Sequence, residues 1–449
     1  MSSRPRVDGA CLLQTAIELT IRAGGLLLIT ALCHGLAHRL QFSDSFGLTG
    51  AGLFLGLCYL ASQHFFPSFT ASTVEPFLTP AFPPEAYLWL FLPPILFEAA
   101  LKVDTRQLLR DLAPVLTLAI GAVAATAAAV GLATWLSSGE SLIVCLLLGA
   151  IVSTTDPSTV IALFRISRAP ARLIKLVEGE SLLNDAAAIA ITTTVTGVLV
   201  LAPSAGHVVG HPLFGFLASL LGGCALGAFA GSLFVWISHV LRSPPFSEYA
   251  LSLALPTLLY PAAELWLHVS GVATVVCAGL AANWLMRACR PKASLTRFRH
   301  LWEQQAALAS AAVFLLASAH APDLLDKLRL RDVAVLCLAL AAAVASRFGI
   351  LTICVPLLSR VGICKPLPRA HQLLIAWGGV RGPVTLTLAL CVARESALSP
   401  ETRHFAATMA TGFVVLNLLC NGLTLGRLGR WLGVVGPARP SKQSALDHP

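Results

Sequence analysis

The chain has 449 residues, of which 56% are hydrophobic and only 12% charged, and its mean hydropathy is +0.78. A soluble domain carries about a quarter charged residues, so these values exclude an ordinary soluble domain and indicate an all-α polytopic membrane protein. Long alternating stretches separated by turns are not visible, which argues against a membrane barrel, and the net charge of +9 reads as loop bias, with no nucleic-acid partner expected.

A spanning helix needs roughly 20 mostly apolar residues, because the hydrocarbon is about 30 Å thick and each residue rises about 1.5 Å. About thirteen candidate spans follow in order: 16–37, 45–62, 84–101, 111–136, 141–164, 180–201, 212–241, 246–267, 271–286, 302–320, 331–358, 369–393 and 403–430. The first follows Arg4 and Arg6, contains Glu18 and Arg22, and shows no small-residue cleavage site. It is therefore predicted to span and not to be a removed signal peptide. With the N-terminus outside, 21 basic residues fall on cytoplasmic segments and 7 on outer ones, while Arg22, Arg347 and Arg381 lie inside spans. That bias supports an odd number of spans and a cytoplasmic C-terminus, with 431–449 as a short cytoplasmic tail and no soluble regulatory domain after it. The cysteines sit singly in apolar segments, as Cys145, Cys277, Cys337 and Cys420 do, without a C-x-x-C pair. They read as small buried hydrophobes.

Charges inside spans carry the functional signal, since each costs at least about 2.5–3.5 kcal/mol at mid-membrane. Glu18 and Arg22 are four residues apart near a helix end and read as a local ion pair. Glu98, Asp156, Glu180, Asp185, Glu264, Arg347 and Arg381 remain. Asp156 lies in GAIVSTTDPSTVIALF, where Pro157 removes a backbone donor and Ser153, Thr154, Ser158 and Thr159 add hydroxyls. The helix is predicted to break near Thr155, Asp156 and Pro157, and freed backbone groups are tolerated only against protein or a water-filled cavity.

LLIAWGGVRGPVTLTLAL holds a second break, with Gly378, Gly379, Gly382 and Pro383 around Arg381. The breaks fall in the fifth and twelfth spans. If 212–241 is a linker helix, then 16–201 and 246–430 are two six-helix repeats within one membrane transporter domain, and each break is fifth in its half. Paired interruptions of this kind mark a site near the midplane of an inverted-repeat transporter.

VEGESLLNDAAAIAI supplies the acids. On a helix Ser181, Asn184 and Asp185 share one face, and Glu180 and Asn184 are four apart. A hard cation such as Na⁺ prefers the oxygens of carboxylates, hydroxyls, amides and unwound carbonyls. Burial disfavours an ionised acid, whereas a bound cation stabilises it. One aspartate can therefore hold a proton or a cation in turn, which is the minimal chemistry of exchange.

Four segments, FLPPILFEAAL (91–101), STTDPSTVIALF (153–164), EGESLLNDAAAI (178–189) and WGGVRGPVTLTLAL (377–390), resemble the monovalent cation:proton antiporters of the NhaP/NHE-like sodium/proton exchanger branch. The resemblance implies an inverted-repeat fold with two interrupted, crossing helices, a mobile core domain and a homodimer. Asp185 matches the exchanging carboxylate and Asn184 the asparagine before it. Thr155, Asp156 and Ser181 match positions of the Na⁺ site, and Glu98 the acid that lines the approach. Glu180 matches an acid paired with a membrane-embedded arginine; Arg347 ranks first as its partner and Arg381, the charge of the second break, ranks second. An Asn-Asp pair is associated in this superfamily with electroneutral exchange, and one titratable carboxylate swapping one proton for one cation moves no net charge. Ser158 and Thr159 stand where small apolar residues are commoner, and Pro383 follows the Arg-Gly where alanine is usual.

The expected function is exchange of a monovalent cation (Na⁺, with Li⁺ or K⁺ as alternatives) for H⁺ by alternating access, without a cofactor, in a bacterial inner membrane. A K⁺/H⁺ antiporter of the same fold is the nearest alternative. A cation channel is less well supported, because no carbonyl-filter pattern or arginine-rich sensor helix is present. An intramembrane enzyme is disfavoured because GES is not a G-x-S-x-G elbow. His34/His38 and His207/His211 have i,i+4 spacing but no nearby third ligand, and read as surface histidines.

Overall fold

The computed structural model describes residues 20–21, 24–33, 35–36, 44–65, 84–110, 115–156, 160–161, 164, 171–201, 212–242, 244–326, 328–360 and 368–434. Among these the regular structure is helical, without a strand, and holds one isolated antiparallel bridge between Asp156 and Val380. Glu18, Arg22, Pro157, Ser158, Thr159 and the four histidines of the two i,i+4 pairs lie outside the described residues.

The helices are α1 (Gly24–Cys33), α2 (Asp44–Phe65), α3 (Pro84–Lys102), α4 (Thr105–Arg110), α5 (Ala122–Ser138), α6 (Leu142–Ile151), α7 (Ala171–Leu201), α8 (Pro212–Val240) and α9 (Pro245–Pro261). Then come α10 (Gly271–Cys289), α11 (Lys292–Ala319), α12 (Ala321–Leu325), α13 (Leu330–Arg360), α14 (Arg369–Trp377), α15 (Pro383–Arg394), α16 (Pro400–Asn417) and α17 (Leu423–Trp431). Wider π turns at Thr117–Gly121, Ala262–Trp266 and Leu418–Gly422 sit at the ends of α5, α9 and α16. Among the described residues, seven helices are long and apolar enough to cross a membrane, and α1, α6 and Val384–Arg394 are shorter apolar ones.

Local chemistry sets the ends. Proline at the first position starts α9, α15 and α16, where its missing N–H costs nothing. The side chains of Ser270 and Ser399 cap α10 and α16 by accepting the N–H of Ala273 and Thr402, both at 3.2 Å. Gly139, at φ 82°, ends α5 in the left-handed conformation that favours glycine. Two ends depart from the sequence expectation. α7 begins at Ala171, not at 180, and α11 at Lys292, not at 302. Arg297 and Arg299, assigned to a loop from their charge, are therefore helical.

Helices in lipid gain little from apolar burial, so close backbone approach and polar contacts hold them together. α8 shows this against α10. A Cβ on Gly227 would lie 2.0 Å from the Thr274 carbonyl oxygen, and one on Gly231 2.2 Å from that of Ala278. On the other side of α10, α3 packs with α11 through the rings of Phe97 and Trp302, whose centroids are 4.6 Å apart. Both aromatics are fully buried in the largest core cluster, which reaches from Leu92 to Phe413. The two breaks, after α6 and between α14 and α15, meet in this frame.

Candidate functional site

α6 stops at Ile151, and residues 152–156 continue without helix. α14 stops at Trp377, and α15 resumes at Pro383. The two non-helical stretches cross, and the N–H of Asp156 donates to the Val380 carbonyl at 2.7 Å. The approach requires small residues: a Cβ on Gly378 would meet Val160 Cγ2 at 2.0 Å, and one on Gly382 would meet Asp156 Cβ at 3.1 Å.

An unsatisfied backbone group in a membrane costs several kcal/mol, and here several of the freed groups have partners. Arg381 Nη1 donates to the Thr154 carbonyl at 2.8 Å, and Asn184 Nδ2 to the Thr155 carbonyl at 3.1 Å. Asn421 Nδ2 donates to the Trp377 carbonyl at 2.8 Å, and Asn417 Nδ2 to that of Gly379 at 3.4 Å. The Arg381 N–H in turn donates to Asn417 Oδ1 at 3.0 Å. The hydroxyls of Thr154 and Thr385 form a hydrogen bond across the two breaks. Arg381 is buried, with its guanidinium 5.3 Å from the centre of the Phe413 ring. Its electrostatic and hydrogen-bonding surroundings thus come from both breaks and from α16.

α7 brings the acids to the crossing. Asn184, 1% exposed, also donates to Thr155 Oγ1 at 2.7 Å, and its Oδ1 has no partner among the described residues. Asp185 and Ser181 point with Thr155, Asp156 and Glu98 into one cavity of about 360 Å³. Among the described residues no hydrogen bond or ion pair is made to the Asp185 carboxylate, which shares the cavity with the Asp156 carboxylate. Two carboxylates in a low-dielectric recess repel each other, and a proton or cation relieves that repulsion. Glu180 is placed differently. It is buried away from this cavity, and its Oε1 receives Arg347 Nη2 at 2.5 Å. Arg381 makes no ion pair with Glu180; it caps the break instead.

Glu98 sits further along the cavity, where Lys102 Nζ lies 2.5 Å from its Oε1 and 3.8 Å from Glu303 Oε1. Glu178 lines the same end. Glu264 accepts the N–H of Gly271 at 2.8 Å, a local contact remote from the crossing. No three His, Cys, Asp or Glu side chains converge as for a transition metal among the described residues. The donors at the crossing are oxygens, which suit a hard cation.

Sequence reasoning did not single out Asn417, Asn421, Thr385 or Ser310, which also lines the cavity. The signal for the two asparagines was present: i,i+4 amides inside an apolar span. Lys102 counted only as a loop charge, yet it faces the cavity.

The profile of the family described as sodium/hydrogen exchanger, transmembrane, matches residues 26–431. The chain is 32% identical over 358 residues to the Na⁺/H⁺ antiporter ApNhaP of Aphanothece halophytica, covering 79% of this chain and 66% of that one, just under two thirds of its length. It is 28% identical to the Na⁺/H⁺ antiporter NhaH of Halobacillus dabanensis, over 91% of this chain and 97% of that one. Its fold matches that of the sodium proton antiporter MjNhaP1 of Methanocaldococcus jannaschii with a TM-score of 0.71 at 21% identity, covering 94% and 100% of the two chains.

Proposed function

Because this chain belongs to the transmembrane sodium/hydrogen exchanger family and is a multi-pass integral membrane protein, we propose that it exchanges a monovalent cation, Na⁺ first, for H⁺. Asp185 is the shared carboxylate, and Asp156, Thr155, Ser181 and Asn184 complete the cation site. The observation that carries this reading is the contrast on α7: Glu180 has a permanent guanidinium partner, whereas Asp185 faces the cavity without one. A proton or a cation takes that place in turn, and Asn184, which does not itself line the cavity, holds Thr155, which does.

Asn184 cannot ionise, so one carboxylate turns over per cycle and exchange is one for one and electroneutral. The cation enters along the cavity past Glu98. The crossed breaks carry the site between the two faces by alternating access, within two inverted repeats, 16–201 and 246–430, joined by the linker helix. The protein works as a homodimer in the bacterial plasma membrane, with its N-terminus outside and its C-terminus in the cytoplasm.

Proteoliposomes loaded with a pH-sensitive dye test this directly, with Na⁺, Li⁺ and K⁺ added at several pH values. Wild type gives cation-induced alkalinisation of an acid interior, and Asp185→Asn gives none while remaining folded. Wild-type exchange by that variant overturns the role of Asp185. A steady current that follows an imposed voltage overturns the electroneutral stoichiometry.

A further inference from the structure

A second recess, of about 540 Å³, lies apart from the crossing, where α4, the end of α10 and the start of α11 meet. Arg106, Arg287, Arg290 and Arg299 line it, against the single lining carboxylate of Asp104. Asp104 is 3.6 Å from Arg287, and Glu248 is 3.2 Å from Arg290. Arg106 is exposed and makes no ion pair among the described residues.

The most telling arrangement is at Asn283, which is fully buried. Its Nδ2 donates to the Val103 carbonyl at 2.7 Å, which fixes the amide. Its Oδ1 then accepts from both Arg287 Nε, at 3.1 Å, and Arg299 Nη2, at 2.6 Å. Two guanidiniums are thus held on one neutral oxygen, and like charges at that range repel. Arg299 Nε is in addition buried without a hydrogen-bond partner. An anion in the recess would offset both costs. The first two turns of α11, the positive end of its dipole, face the same space through Leu295, Thr296 and Arg299.

Depth points the same way. Trp284, one turn before Arg287 on α10, lines the recess and is 52% exposed. Tryptophan next to arginine at a helix end marks the headgroup layer of a bilayer. Basic recesses between membrane helices at that level suit phosphate groups, which forked guanidiniums bind in pairs. We propose that this recess binds a phosphate-bearing anion, held by Arg106, Arg287 and Arg299. It would join α4 of the first half of the chain to α10 and α11 of the second.

Such an anion is either a phospholipid headgroup or free phosphate. The purified full-length protein in neutral detergent is titrated with phosphatidylglycerol, with phosphatidylcholine, and with inorganic phosphate against chloride at equal ionic strength. Thermal unfolding and lipid retention in native mass spectrometry are read. The recess predicts a saturable rise in unfolding temperature, and a half-maximal concentration at least about tenfold higher in Arg106→Gln/Arg299→Gln, since each charged hydrogen bond lost weakens binding by about that factor. A response to phosphatidylglycerol alone identifies the headgroup, and a response to inorganic phosphate identifies the free anion. Equal responses of wild type and double variant to every addition overturn the proposal. Should the double variant not fold, Arg106→Gln decides, because that side chain is exposed and makes no ion pair among the described residues; an unchanged half-maximal concentration there also overturns it.

Discussion

Two acids on α7, five residues apart, occupy opposite kinds of surroundings. Glu180 is 5% exposed and bonded to Arg347, which is 7% exposed. Asp185 is partly accessible from a cavity and has neither cation nor donor among the described residues. The first arrangement is closed: both charges are matched, and nothing needs to enter. The second leaves the acid open to the cavity, as the proposed exchange requires. Proximity in sequence therefore says little about role, and the face of the helix decides it.

Three single variants and one double variant sharpen or break this contrast, all read first as unfolding in one detergent. Arg347→Gln leaves a buried carboxylate uncompensated and is expected to cost about 3–5 kcal/mol, the penalty for breaking a buried pair from one side. Adding Glu180→Gln to it recovers much of that loss, and if the double variant is no more stable than the single, the pair is not the closed unit described. Asn421→Ala strips the Trp377 carbonyl of its donor and costs about 1–3 kcal/mol; an unchanged midpoint means that another group caps the break. Asp185→Asn lies at the small end: it breaks no bond among the described residues and removes the repulsion with Asp156, so stability is unchanged or slightly raised. A large loss of stability in this last variant erases the distinction between the two acids, whatever happens to transport.

Much of the helix order was legible in the sequence, for identifiable reasons. Pro157 and the glycines around Arg381 marked both breaks in the sequence, and the chain leaves helix at 152–156 and 378–382, although α3 and α13 run on through Pro93, Pro94 and Pro356. The acids and amides of VEGESLLNDAAAIAI stand out because lipid penalises them. The starts of α7 and α11 were not legible, since an apolar window treats Arg172, Lys175, Arg297 and Arg299 as the end of a span. The guanidinium of Arg299 is received by Asn283, sixteen residues away, a contact that no local window reports. Lys102 was missed although its nearer partner, Glu98, lies four residues before it; only its longer contact with Glu303, which joins α3 to α11, is beyond a local pattern. Asn417 and Asn421 were visible as amides four residues apart in an apolar run, but their use shows only against the freed carbonyls of Gly379 and Trp377.

The hydrogen bond from Asp156 to Val380, with Arg381 reaching back to the Thr154 carbonyl, has a mechanical consequence. Neither break can shear past the other without rupturing charged and backbone bonds in a medium that offers no substitute. The crossing is therefore stiff, and compliance is displaced outward, into the flanking helices and their packing seams. A force applied to α6 is passed to α15 through these bonds, so in the proposed exchange the acid of one break and the arginine of the other would move together.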